Sequence, residues 1–406
     1  MHIKSVIIIS LLCICLAGGG CASTGSFDDS LKSTVQTFRF STVKWEAGVI
    51  RQAITGWIFH QNKPVDSGLQ TVNQYFSLVD RIKALQSRIA ANNTGTKKDD
   101  IASLKAELER TEKERASLAG PVAGIIAGQI KETLARQGVY NPITGWRRHF
   151  PPLNFRLEKL PYLLVISPRE RIESIREVTL RQDITPEQIA RIEAAVDELG
   201  VSSLVVELGG YGGTYPTIVL TEADIRFTLD TAVEEWVHQY LVLTPLGFRY
   251  LLDVTGISRD YEIATINETV ASMVSREIGR MVCEQYYTGC VSSEKTEGSV
   301  TTGFDFNRDM REIRQTVDTY LALGQVEQAE RFMEQRRQEL TAQGYYIRKL
   351  NQAYFAFHGT YADRPTSISP IGAELRQLRG QSTSLKAFLN TVSGITSRQD
   401  LKARIR

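Results

Sequence analysis

Between Asp224 and about Leu243, apolar residues recur at every fourth position: Ile225, Leu229, Val233, Val237 and Leu241. That period lays one apolar stripe along an α-helix and commits the segment to packing against a core. Pro245 and Gly247 are read as its end. A second helix is predicted over about Ile263 to Val282. Residues four apart share a helix face, so Glu234 and His238 project together, with Glu235 one step round. Glu268, preceded by Asn267, lies on the second helix. Glu234, His238 and Glu268 form a candidate three-ligand metal site with an open position. An open position is what a hydrolytic metal requires, because the ion then acidifies a bound water and polarises a carbonyl.

The elements around this pair predict an α+β fold, mostly helical. Trp45 to Val139 reads as largely helical. The apolar steps at Leu78, Ile82, Leu85 and Ile89, a break at residues 92–95, and a second arm through Ile101, Leu104, Leu108 and Leu118 predict an antiparallel helical hairpin. Its Glu, Lys and Arg residues read as a solvated face. Pro151-Pro152 marks a boundary. Beyond it, strands are expected at 162–167, 203–208 and 217–220. A helix is opened by the Thr185-Pro186-Glu187-Gln188 capping box and stopped at Gly200. Helices are further expected at 308–323, 326–343, 346–357 and 385–392. Three regions result: 1–20 as a leader, 21–150 as tether and helical domain, and 151–406 as the domain holding the motif helices and a C-terminal helical part.

The order strand, Gly-rich turn, strand, helix with Glu234-Glu235-Trp236-Val237-His238, and helix with Asn267-Glu268 resembles the catalytic core of the gluzincin metallopeptidases. Their pattern is His-Glu-x-x-His followed by a downstream Asn-Glu. The segments from Glu235 to Leu241, Pro245 to Gly247, Ile266 to Thr269, Ala353 to Phe357 and Ser369 to Gly372 also look like a group of uncharacterised bacterial membrane-anchored proteins with an intact His-Glu-Trp-x-His. The resemblance implies a zincin-like core, zinc held by Glu234, His238 and Glu268, and Glu235 as general base. It implies an extended peptide or protein substrate added to the strand edge within Gly209–Leu220, at Gly213, Thr214 and Tyr215. A late His or Tyr stabilises the oxyanion in such enzymes, which points to His358 and Tyr361. Asn267 would support His238, and Ser272 stands where the thermolysin-like members carry a supporting Asp. The departure is Glu234, a carboxylate in place of the first histidine. It makes manganese or iron competitive with zinc. It also opens the alternative of an inactive scaffold that holds no metal. His60 and His149 are the remaining histidines available to replace the lost ligand, and Trp236 is expected in the core.

The N-terminus reads as an address. His2 and Lys4 precede an apolar run from Val6 to Leu16, too short to span a bilayer, and small residues lead into Cys21. This resembles a bacterial lipoprotein leader with Cys21 as the lipidated residue. It places the chain in the cell envelope, outside the cytoplasm, with the membrane as a partner through the anchor. The absence of Asp among Ala22 and Ser23 favours the outer membrane. Cys13 and Cys15 leave with the leader, so Cys283 and Cys290 remain as an expected disulfide. The net charge of +2 gives no basic face of the kind nucleic acid needs.

Overall fold

The computed structural model describes residues 26–41, 45, 65–93, 100–143, 146–288, 290 and 304–405. The leader, Cys21, His60 and the hairpin turn lie outside them. The fold is α+β and mostly helical. Two long helices, α2 (Val65–Asn93) and α3 (Ile101–Arg136), run antiparallel as a hairpin. Arg81 pairs with Glu107 and Gln74 with Glu114 across it. Its base inserts Val72, Tyr75, Val122, Ile126 and Ile130 into the largest core cluster, which also takes in residues of two strands and of both motif helices. That core is continuous across Pro151-Pro152.

Six short strands follow: β1 (Phe155–Glu158), β2 (Tyr162–Pro168), β3 (Arg176–Leu180), β4 (Val201–Glu207), β5 (Gly210–Tyr211) and β6 (Thr217–Leu220). They form two sheets. One is antiparallel in the order β3-β2-β4. The other has the order β1-β6-β5, with β1 parallel and β5 antiparallel to β6. The strands expected at 162–167, 203–208 and 217–220 therefore divide between two sheets. Helix α4 (Pro186–Asp197) packs on β4 and begins with the expected reciprocal cap of Thr185 and Gln188.

Residues 26–38, expected as tether, instead include helix α1 (Ser26–Val35) and a 3₁₀ turn. Leu31 and Val35 are buried against the β3-β2-β4 layer and α4. Two apolar residues four apart carry that helix, which is too little for the sequence pattern to show.

The motif helix α5 spans Ile225–Leu241, capped by Asp224, and buries Leu229, Val233, Val237 and Leu241 as the four-residue stripe requires. Trp236 is buried and donates to the carbonyl of Pro151 at 2.8 Å. Pro245 does not simply end the helix. It is the first residue of another, α6 (Pro245–Val254), capped by Thr244. Helix α7 (Tyr261–Tyr286) lies against α5 and carries the Asn-Glu pair. Its C-terminal end is tied by a disulfide from Cys283 to Cys290. A second hairpin, α8 (Phe306–Ala322) and α9 (Val326–Ala342), leads to α10 (Gln352–Gly359), α11 (Ile371–Gln381), α12 (Leu385–Ser393) and α13 (Arg398–Arg404). The helix expected from 346 starts at Gln352, because Asn351 caps it by accepting from the Tyr354 amide at 2.9 Å.

Candidate metal centre

Helices α5 and α7 are packed so that Glu234, His238 and Glu268 meet. One donor atom from each lies within 4.8 Å of the others. The asparagine that precedes Glu268 is fully buried and faces the same imidazole: His238 Nδ1 and Asn267 Oδ1 are 2.8 Å apart. An amide oxygen only accepts, so Nδ1 carries the proton and Nε2 points at Glu268 Oε2, 3.5 Å away. In the neutral ring this leaves the Nε2 lone pair for an ion, the arrangement that outer partners impose on metal-binding histidines.

Glu268 is held from the other side. Tyr250, on α6, donates to its Oε1 at 2.5 Å, and Tyr361 donates to it as well. Tyr250 also stacks on the His238 ring, with centroids 5.7 Å apart. The sequence signal that places Tyr250 is the Thr244-Pro245 helix start, since α6 brings Tyr250 back over the cluster. Ser272 lies one turn further along α7 and donates to Asp363 Oδ2 at 2.9 Å. Asp363 is nearly buried and also pairs with Arg276 at 3.4 Å. The carboxylate beside this turn of α7 thus comes from the C-terminal segment.

Glu235 lies against the backbone of β5. A methyl group at Gly210 would fall 2.5 Å from both Glu235 Oε1 and Thr231 Cγ2. One at Gly212 would fall 2.5 Å from Glu235 Oε2. Gly209 makes the same close pass over Phe227. The three glycines let the strand cross α5 at backbone distance, and the Gly212 amide donates to Glu235. Gln239, one turn on, donates to the Gly212 carbonyl at 3.3 Å and to Thr217 Oγ1 at 3.2 Å.

The expected substrate edge is corrected by this geometry. Gly213, Thr214 and Tyr215 form a turn, not a strand, and Thr214 and Tyr215 are buried. The edge of the sheet is Gly210–Tyr211, two residues long, and it is packed on α5. An open cleft lies between α5, α7, α8, α11 and the 364–370 loop. It has a volume of about 1760 Å³, with Glu234 and His358 in its wall. Of the other histidines, His149 sits between Tyr140 and Trp236 on the core side of α5, away from the cluster.

Electrostatics follow from three carboxylates crowded around one imidazole. Burial, reinforced by Glu235 and Glu268, pushes Glu234 up to about 8. Burial raises Glu235 to about 7. For His238, burial pulls down but the surrounding carboxylates outweigh it, and the imidazole rises to about 10. Glu268 is also strained upward by burial, yet His238, Tyr250 and Tyr361 hold it below the ordinary carboxylate range. Burial lowers His358 to about 4, so its ring is neutral at physiological pH.

The donor set of two carboxylates and an oriented imidazole fits a divalent first-row ion, with oxygen ligands favouring the harder ones. Comparison of this chain with protein-family models, with curated proteins and with solved structures finds no match.

Proposed function

We propose that the protein is an exported, lipid-anchored metallopeptidase of gluzincin type, with an ion held by Glu234, His238 and Glu268. The observation that carries this reading is the convergence of those three residues from two helices, with Asn267 fixing the imidazole tautomer. A divalent ion held there would supply Lewis acidity toward a carbonyl and would acidify a water. Glu235, whose carboxylate the Gly212 amide holds, would be the general base. Tyr361 hydrogen-bonds Glu268 within the cluster, where a phenol can donate to a developing oxyanion. His358 in the cleft wall, its ring tilted against that of Tyr354 with centroids 4.3 Å apart, serves substrate binding. Zinc is the first candidate, with manganese and iron as alternatives. Cys21 is the proposed anchor. Among the described residues no helix is long and apolar enough to cross a membrane.

A second reading rests on the direct approach of His238 to Glu268 at 3.5 Å. That pair, with the tyrosine donors, gives His238 Nε2 and Glu268 partners without an ion, as an inactive scaffold would require. One experiment separates the two. Full-length protein is purified in detergent without chelators or a histidine tag, beside His238→Ala, and its metal is quantified by elemental analysis. About one equivalent of ion, lost in the variant, supports the metallopeptidase. No ion after incubation with zinc, manganese and iron supports the scaffold.

A further inference from the structure

The side of α5 occupied by Glu235 is closed by β5, so a ligand reaches the cluster through the cleft beside Glu234. Seven arginines line that cleft. Six are matched to acids: Arg226 to Asp230, Arg276 to Asp363, Arg280 to Glu284, Arg314 to Asp318, Arg379 to Glu277, and Arg398 to Glu262 and Glu374. The seventh, Arg364, makes no ion pair among the described residues. Its guanidinium lies over the Tyr361 ring, 4.7 Å from the centroid, and Tyr361 in turn donates to Glu268. A cation stacked on the ring of a tyrosine that touches the cluster is one side chain removed from it.

Arg364 is also held in place. Its own amide and that of Ser367 close successive turns, at 3.2 and 3.0 Å. The segment is fastened to α7 by the Ala362 amide on Thr269 Oγ1 at 3.0 Å, and to α8 by Arg311 on the Pro365 carbonyl. Thr269 is the residue after Glu268, so the loop is tied to α7 next to the cluster. A guanidinium with a fixed stem and free donors pairs best with a carboxylate, in fork geometry. The same cleft exposes Phe227, Tyr346 and Ile368, at 42%, 79% and 36%, so it offers apolar surface close to the cation.

We propose that Arg364 recognises a carboxylate of the ligand, and that the cleft takes peptides that present a carboxylate and an apolar side chain beside the cluster. The carboxylate comes from a peptide C-terminus or from an acidic side chain. The assignment of the ligand as a substrate rests on the metallopeptidase reading. The carboxylate contact itself does not require the ion.

The test uses full-length protein in detergent, treated with EDTA so that nothing is hydrolysed. Binding is followed by anisotropy of three dansylated peptides: Gly-Phe-Leu-Phe with a free C-terminus, its C-terminal amide, and Gly-Phe-Leu-Glu as the amide. The free acid is expected to bind roughly tenfold or more tighter than its amide, the scale of one charge-assisted pair. Arg364→Ala removes that difference, and Arg364→Lys retains part of it. Tight binding of the glutamate amide assigns recognition to any carboxylate, and weak binding assigns it to the C-terminus. Equal binding of acid and amide, no binding of either, or a difference that survives Arg364→Ala overturns the proposal. Metal content of the untreated protein is measured in parallel. An ion-free protein that still prefers the acid would refute the peptidase reading and leave the carboxylate site standing.

Discussion

The packing of Glu235 under β5 makes a quantitative prediction through Gly212→Ala. The three atoms nearest to a Cβ added there all belong to Glu235: Oε2 at 2.5 Å, with Cβ and Cδ at 3.6 Å. Gly212 is not among the positive-φ glycines. The backbone therefore accepts alanine, and the loss of unfolded-state freedom stabilises by about 0.4–1 kcal/mol. Against this, the carboxylate must shift by about 1 Å to restore a normal contact and gives up the Gly212 amide. A hydrogen bond to a charged group contributes about 1.5–3 kcal/mol. The single variant should lose about 1–2 kcal/mol. In a Glu235→Ala background nothing opposes the new methyl, and Gly212→Ala should become neutral or stabilising. The double-mutant cycle thus predicts a coupling of about 1.5–3 kcal/mol. Gly210→Ala is the internal control. Its Cβ also strikes Thr231 Cγ2 at 2.5 Å, so overpacking of about 1–3 kcal/mol persists when Glu235 is removed. Urea unfolding at pH 8, with the disulfide intact, reads all four corners of each cycle. A coupling below about 0.5 kcal/mol for Gly212 and Glu235 would show that the carboxylate does not rest against this backbone.

Three further outcomes are expected. Glu235 keeps a proton in the folded state up to about 7 that the unfolded chain releases near 4.5. Metal-free protein should therefore lose stability as pH rises between those values, by about 1.4 kcal/mol per unit. Glu235→Gln should stabilise more at pH 8 than at pH 5, and an equal effect at both, by urea midpoints, contradicts the burial argument. His358 has the opposite sign. The folded ring refuses a proton between 6.5 and about 4 that the unfolded chain accepts, so stability falls as pH drops through that window, by about 2 kcal/mol after allowance for partial exposure. His358→Asn should flatten this acid limb in thermal melts, and an unchanged limb rules the histidine out as its source. Reduction of the Cys283–Cys290 disulfide, which closes a loop of seven residues in separation, should cost on the order of 2–3 kcal/mol. Unfolding midpoints that are the same with and without reductant would show that the link adds no stability.

What the sequence made legible was set by range. The four-residue stripe of α5, the two arms of the first hairpin and the Thr185 capping box depend on neighbours within a turn or two, and each stands where the spacing puts it. The meeting of Glu234, His238 and Glu268 was reachable because Asn267-Glu268 carried a pattern of its own. Residues whose role comes from a distant contact left no such trace. Tyr250 is invisible unless Thr244-Pro245 is read as a helix start as well as a stop. Gln239 and Arg364 matter only through the loops they meet. The division of six strands into two sheets depends on pairings such as Phe155 with Thr217, which no local pattern encodes. Gly213 to Tyr215 is expected at the substrate edge only through the resemblance, since the local pattern puts the strand at Thr217. The buried turn there is fastened by Thr214 Oγ1 on the Pro216 carbonyl at 3.0 Å.

Glu234 adds a third carboxylate beside His238, and this shapes how the two proposed ligands of the site, ion and peptide, affect one another. Three carboxylates and one imidazole attract a dication, whereas Arg364, close enough to draw Glu234 downward, repels it. A peptide carboxylate that pairs with Arg364 cancels that repulsion. Ion and carboxylate should therefore bind with positive cooperativity, and linkage requires each to tighten the other by the same factor. At an effective dielectric of about 20, one unit charge at about 8 Å contributes about 2 kcal/mol before screening, so a few-fold to tenfold effect is expected. Manganese affinity measured by paramagnetic relaxation in full-length Glu235→Gln, with and without saturating free-acid peptide, reads it. The enhancement should vanish in Arg364→Ala, whose ion affinity without peptide should already be raised. An ion affinity indifferent to both the peptide and Arg364 would separate the cleft from the cluster and remove the electrostatic link between them.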